Sequence, residues 1–572
     1  MAVAAGKGNY MKKTEGKPLP LGASGEGEKI NFSVAVPEGK PCSLLLYRTG
    51  EEKPCLEYPM EEIFGEVRYL ALEDLEKDCR EYNYQVGGEI FVDPRARALA
   101  GRGAWGEERD VQKHQVRGVI EKRDYDWEGD VPLELPDHQV VAYSLHVRGF
   151  TRDPYSRVKN KGMFEGIVEK LPYLKKLGIN QIQCMPVYEF EEQGRYQNYW
   201  GYGPAYWFAP KSAYSAQGDG ARSLKDLVKA CHSQGIEIVL EMPFTEGVAG
   251  FLVEECLRYY RMEYHIDGFI LNPLTAPMDS IRQDPLLRKT KILQHDMEFM
   301  NTMRRFLKGD EGMVDSVIYW LRHISKEGVC NTITGHTGFT LNDLVSYDGK
   351  HNEANGENNT DGPDYNYSWN CGAEGPTRKK EVLQLRERQM RNALFLLLTA
   401  QGTPCLLAGD EFANSQKGNN NVYCQDNPTG WLNWRKLEKE EKFCGFVKDL
   451  IRLRKEYPVL CPAREMLGLD QTRCGVPDVS YHGENAWQAP KEVSSRQLGV
   501  YYSGAVAGGD DCFIAYNMHW LEHKFALPAL PKGKTWHVIA STDEGVLEMP
   551  RQLKQQRQIE VKARTILILA GK

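Results

Sequence analysis

The chain has 572 residues, 41% of them hydrophobic and 26% charged, with a formal net charge of −7. This is an ordinary soluble globular composition, and a length that points to roughly two to four domains rather than one core. A pI near 6.1 without any basic run argues against nucleic acid and leaves an uncharged ligand as the better fit.

The opening residues, MAVAAGKGNYMKKTEG, lack the apolar core of a signal peptide, and no stretch is apolar and long enough to span a membrane. The 14 cysteines are scattered without CxxC pairs, which disfavours zinc ribbons and disulfide frameworks. They are read as reduced thiols of a cytoplasmic protein. No metal cluster with recognisable ligand spacing occurs, and no cofactor is expected. The 11 Trp and 29 Tyr suit a core, and they also suit a sugar-binding surface.

Residues 1–100 carry short strand signals, KINFSVAVP, PCSLLLYRT and EYNYQVGGEIFVDP, spaced as in a β-sandwich. A polar stretch over 101–137 reads as a linker. From 138 the period changes. QVVAYSLHV is a strand, and FEGIVEKLPYLKKLGI has apolar residues at helical spacing up to Gly178. INQIQCMP, IEIVLEMP, DGFILNP, KILQHD, VCNTITGH and TPCLLAGD read as further strands. Helical segments such as SLKDLVKACHSQGI and LQLRERQMRNALFLLLTA lie between them. This alternation over 138–470 predicts a parallel α/β domain, either a closed (β/α)8 barrel or a doubly wound open sheet. No GxGxxG opens a helix after the first strand, which disfavours the dinucleotide-binding version of the open sheet. Residues 471–572 return to β character, ending in the alternating RQIEVKARTILILAG, and predict an antiparallel β-sandwich.

In a barrel, functional side chains gather where strands end. Those ends carry Ser144, the aromatic loop NYWGYGPAYWFAP, Glu241 and Glu246, Ile270 and Asn272, His295 and Asp296, His336 and Thr337, and Asp410 and Glu411. The aromatic loop offers ring faces to pyranose C–H groups. It can equally fill the barrel rim.

Three long motifs, NYWGYGPAYWFAPKSAYS, GHTGFTLNDLVSYDGKHNEANGENNTDGPDYNYSWNCGAEG and GTPCLLAGDEFANSQKGNNNVYCQDNPTGWLNW, resemble the α-amylase family, glycoside hydrolase family 13. They resemble its bacterial glycogen-debranching and isoamylase branch in particular. The resemblance covers nearly the whole chain. It implies a carbohydrate-binding module over 1–100, a central (β/α)8 TIM barrel and a C-terminal β-sandwich.

The family hydrolyses with retention, using an Asp nucleophile and a Glu acid/base across the scissile bond. Here the sequence departs from the pattern. The nucleophile strand, G-F-R-F-D in the family, reads Gly268-Phe269-Ile270-Leu271-Asn272. His295 falls where the acid/base Glu belongs, and the loop that usually follows is missing. Thr337 follows His336 where a transition-state Asp would stand. Glu246 replaces a sugar-binding His, and Ser144 replaces a Glu. A neutral amide at 272 cannot form the covalent intermediate at a useful rate.

Binding residues remain. By the resemblance, Tyr202 stacks on a sugar ring and His336 bonds its hydroxyls, with Trp200 and Asp343 beside them. Asp343, Asn352 and Asn355 have a second reading, as residues that satisfy loop backbone. The expectation is a non-hydrolytic binder of glycogen, starch or maltooligosaccharide, acting beside an active debranching or glycogen-metabolising enzyme. Two alternatives stay open. One is a debranching hydrolase or transferase with chemistry relocated to Glu241, Glu246, His295 or Asp296. The other is a protein-interaction module that binds no sugar.

Overall fold

In the computed structural model, which describes residues 11–26, 29–108, 115–121 and 125–572, the N-terminal region forms two antiparallel sheets. One is centred on Lys29–Ala35 and Val67–Glu73, the other on Cys42–Tyr47 and Glu81–Val86. Strand alternation sends Phe32, Leu44, Leu46, Leu70 and Tyr82 into a common core. The second sheet also takes in Leu99–Ala100 and Arg117–Val119, so the stretch read as a linker contributes a strand. Residues 1–10, 27–28, 109–114 and 122–124 of the module and linker lie outside the described residues.

From Ala142 the chain alternates strands and helices. The strands β1 (Ala142–Leu145), β2 (Gln181–Cys184), β3 (Glu237–Glu241), β4 (Gly268–Ile270), β5 (Lys291–Leu293) and β6 (Cys405–Leu407) pair in parallel, in the order β5-β4-β3-β2-β1-β6. Residues 329–331 close the ring. Val329 bridges to Gln294, just past β5, and Asn331 bridges to Pro404, just before β6.

Among the described residues the wall therefore has seven parallel segments, and the expected eight-stranded barrel is corrected to seven. The cause is visible in KILQHDMEFM. β5 ends at Leu293 and the helix Glu298–Lys308 begins almost at once, followed by the helix Val314–Arg322. A parallel strand needs a crossover of about a dozen residues to reach its neighbour. No room is left for one here.

The local reasons for the elements are ordinary. In the helix Phe164–Leu177, Phe164, Ile167, Leu171 and Leu174 share one buried face, and Gly178 ends it at φ 106, the left-handed cap that favours glycine. β4 starts on Gly268 because a Cβ there would stand 2.7 Å from the Lys291 carbonyl of β5. The aromatic stretch expected as a loop is partly a strand. Ala205–Pro210 pairs with Tyr188–Phe190 and buries Trp207 and Phe208.

A clasp holds the chain at the other end of the barrel. His232 places Nδ1 2.9 Å from Asp130 and Nε2 2.9 Å from Asp267, and His265 bonds the same Asp130. Burial opposes charge on His232, but its bonds and attraction to Asp267 and Asp130 prevail and raise its pKa.

The C-terminal region is a six-stranded antiparallel sheet, with a two-stranded pair formed by His523–Ala526 and Gln558–Val561. No described helix is long and apolar enough to cross a membrane.

Candidate functional site

The carboxyl ends of β1, β2, β4 and β5 and the segment 332–337 enclose a cavity of about 230 Å³. Ile270, His295, Asp296, His336 and Thr337 all line it, with Ser144 and Gln183 deeper in the barrel. Two positions expected to carry lost catalytic groups, His295 and Thr337, thus meet Ile270 around one space. Ile270 is 4% exposed and packs with Val239, Leu293 and Cys330. Its alternation on β4 turns it into the lumen, where hydrocarbon needs no partner.

Asn272 is not part of that lining. It lies exposed beyond the end of β4. Its Oδ1 accepts from the Leu274 amide at 3.0 Å, and its carbonyl accepts from the Thr275 and Ala276 amides at 3.1 and 3.0 Å. This is a side chain that shapes its own turn.

Glu241, the last residue of β3, is the centre of a polar network beside the cavity. Tyr202 donates its hydroxyl proton to Glu241 Oε1 over 2.6 Å, and His336 Nε2 stands 2.7 Å from the same hydroxyl. With its one proton committed, the Tyr202 oxygen accepts from His336, so His336 carries its proton on Nε2. His295 Nε2 lies 3.4 Å from Glu241 Oε1. Burial alone would raise the Glu241 pKa. The charges of His336 and His295 and the bonds from His295 and Tyr202 outweigh it and hold the carboxyl at about 2. Burial lowers His336. Burial also acts to lower His295, but its bond and attraction to Glu241 raise it.

Trp200 is 5% exposed and stands edge-on to Tyr202 and His336, with ring centroids at 5.8 and 5.1 Å. It braces the two rings more than it presents a face. Asp343 is fully buried and accepts from Ser415 Oγ at 2.6 Å and the Gln416 amide at 2.7 Å. Both its oxygens are engaged by the loop at 415–418. Glu246 is exposed on the loop after β3. Asp296 accepts from the Glu298 amide at 2.6 Å, at the start of a helix. Asp410 accepts from Thr334 and from the Leu341 amide, and burial pushes it up to about 7. Glu411 accepts from Tyr143 and Tyr173 at 2.8 and 2.6 Å. These two acids are structural.

Sequence reasoning passed over Gln183 and Arg304. Gln183 links Cys330 and Cys405 across the lumen at 3.5 and 3.4 Å. The alternating glutamines of QIQC, polar residues in a buried strand, were the available signal. Arg304 donates to the Ile333 carbonyl at 2.7 Å and the Asn366 carbonyl at 3.1 Å, supporting the cavity wall from behind. Among the described residues no cluster of three or more His, Cys, Asp or Glu is arranged to hold a metal ion.

Residues 146–245 match the family model described as the alpha amylase catalytic domain. The chain is 28% identical to isoamylase 3, chloroplastic, of Oryza sativa subsp. japonica, with 95% of this chain and 84% of that protein covered. It is 29% identical to a glycogen debranching enzyme of Pectobacterium atrosepticum, covering 91% of this chain and 97% of that one. A pullulanase from Paenibacillus barengoltzii, solved with maltohexaose and α-cyclodextrin, superposes with a TM-score of 0.74 at 20% identity, covering 97% of this chain and 95% of that one.

Proposed function

For a chain that carries an alpha-amylase catalytic domain and is homologous to isoamylases and glycogen-debranching enzymes, we propose α-glucan binding without hydrolysis. One observation carries the reading: among the described residues that line the cavity, no second carboxyl faces Asp296. A retaining site needs two carboxyls about 5–5.5 Å apart, one of them protonated. Asp296 is the one carboxylate among the residues lining the cavity. Glu241 is held ionised at about 2 and so accepts protons from its neighbours instead of donating one. Asn272, an amide turned to its own loop, supplies no nucleophile.

The groups left at the mouth suit recognition. Tyr202 is half-buried, with an aromatic ring and a hydroxyl, and His336 and Glu241 add hydrogen-bonding capacity beside it. The ligand class is glycogen, starch or maltooligosaccharide. The chain divides into a sugar-binding N-terminal module over 1–100, a linker over 101–137 that adds the strand Arg117–Val119 to that module's second sheet, the barrel over 138–470 and a C-terminal sandwich over 471–572. It would act as a targeting or regulatory companion of an active debranching enzyme.

A second reading is favoured by the His295–Glu241 pair. The raised pKa of His295 keeps a proton available for a leaving glycosidic oxygen. Purified protein incubated with pullulan, glycogen and maltooligosaccharides, with reducing ends followed, separates the two. The binding reading expects retardation in glycogen-containing gels and no new reducing ends. Turnover that co-purifies with the protein and is abolished by Glu241→Gln or His295→Gln would replace it with the hydrolase. No retardation by any glucan would favour an interaction module.

A further inference from the structure

Outside the barrel, two thiols of the N-terminal module face each other. Cys55 Sγ and Cys79 Sγ are 3.0 Å apart. That leaves about 1 Å to close to a bonded S–S distance of about 2.0 Å. Both flank the strand Cys42–Tyr47. Cys55 leads into Leu56–Pro59 and Cys79 into Glu81–Val86, the two strands paired to its edges.

Contacts independent of sulfur hold the backbone on each side. The Cys55 amide donates to the Leu46 carbonyl at 2.8 Å, and the Thr49 amide donates to the Asp78 carbonyl at 2.9 Å. Arg48 pairs with Glu76 at 2.6 Å and lies 3.8 Å from Asp78. The two loops therefore bring the sulfurs together with both thiols still free. Cys79 is fully buried and Cys55 is partly exposed, which orders their reactivity.

We propose that Cys55 and Cys79 form a redox couple, oxidised to a disulfide by a low-molecular-weight disulfide of the glutathione class. The Cys55 thiolate attacks one sulfur of the small disulfide. A mixed disulfide forms and one small thiolate leaves, taking up a proton. The Cys79 thiolate then attacks Cys55 Sγ and expels the second small thiolate. Two protein thiols are oxidised by two electrons, and one small disulfide is reduced to two thiols.

The new bond would lock the loops 48–55 and 74–79 together. The first of these loops holds the chain that runs on to the barrel. The carbonyls of Glu51 and Glu52 accept from Arg117 at 2.6 and 3.2 Å, and Arg117 begins the last strand before the barrel. Oxidation thus stiffens the end of the module where the chain leaves for the barrel. Closing this loop also restricts the unfolded chain.

The test uses the full-length protein. It is treated with excess oxidised glutathione, its remaining thiols are alkylated, and its peptides are mapped by mass. The expected product is a Cys55–Cys79 cross-linked peptide lighter by two hydrogen atoms, reversed by dithiothreitol. Cys474, the exposed cysteine, serves as an internal control and carries glutathione instead. In Cys79→Ser the adduct should stop at Cys55 as a stable mixed disulfide. The oxidised wild type should also melt at a higher temperature than the reduced form. Alkylation of both Cys55 and Cys79 after Cys474 is fully modified would overturn the proposal. So would a glutathione adduct that persists on Cys55 of the wild type. The wild-type map decides the matter even if the variant fails to fold.

Discussion

The Tyr202 hydroxyl donates to Glu241 over 2.6 Å and in the same position takes a bond from His336 at 2.7 Å. One phenol therefore joins an acid on β3 to an imidazole on the opposite rim. Any ligand hydroxyl that entered here would have to fit into this chain or displace a link of it. Tyr202→Phe keeps the ring and removes the link, leaving Glu241 short of a donor. It should lower the unfolding free energy by about 1.5–3 kcal/mol, the worth of a hydrogen bond to a charged group, in urea denaturation. Glycogen retardation should weaken further in Tyr202→Ala, which also removes the ring, than in Tyr202→Phe. Equal retardation in both would assign binding to the hydroxyl alone.

Ile270 tests the apolar lumen. Ile270→Arg would place a cation among Val239, Leu293 and Cys330. An uncompensated buried charge costs on the order of 3–5 kcal/mol, so the denaturation midpoint should fall sharply. Adding Asn272→Asp should recover little of that loss and generate no reducing ends from pullulan, because residue 272 lies outside the cavity lining. Recovery of stability in the double variant would show that the two side chains can reach each other.

Glu241 sets an acid limb. Its carboxyl is held at about 2 against an ordinary 4.5. A depressed carboxyl stabilises the fold fully above the unfolded value and loses that contribution as pH falls through the folded one. The loss should therefore run from about pH 4.5 to about 2 and amount to on the order of 3 kcal/mol, at 1.36 kcal/mol per pH unit. Glu241→Gln should flatten this part of a stability-against-pH curve measured by urea unfolding.

His232 acts in the opposite direction. Its pKa is raised by Asp267 and Asp130 against the pull of burial. A raised imidazole contributes fully below its unfolded value of about 6.5, and the contribution fades as pH climbs through the folded value. The groups facing it are Asp130, Asp267 and, through Asp130, His265. The protection factors of amides in residues 125–135, which divide out the intrinsic base-catalysed rise in exchange, should be high at pH 6 and fall toward pH 9. In His232→Gln that dependence should largely vanish.

The periodicities of the chain made most elements legible. FEGIVEKLPYLKKLGI turns at 3.6 residues and stops on Gly178, and KINFSVAVP alternates, because burial on one face writes itself into local spacing. The strand ends were legible for the same reason, so Ile270, His295, His336 and Thr337 could be expected at one mouth. The missing wall segment was harder to see. A gap in a repeat leaves no residue to read, and KILQHD looked like one strand among others. The hydrogen-bond partners of Asp343 and Asn272 were not legible for a related reason. Their partners are fixed by loop conformation, on Ser415 and Gln416 for one and on the next few amides for the other. The Tyr202–His336 contact joins loops far apart in sequence, and no local pattern announces it.

The seven-membered wall bears on how this scaffold can change. Relative to eight strands, its circumference is shorter by one inter-strand spacing, about 4.8 Å, and the rim has one fewer backbone position from which to project a side chain. Exchanging residues cannot refill a place that no chain occupies. Rebuilding the eighth segment would take an insertion between Leu293 and Glu298, the short stretch from which His295 and Asp296 already reach the cavity.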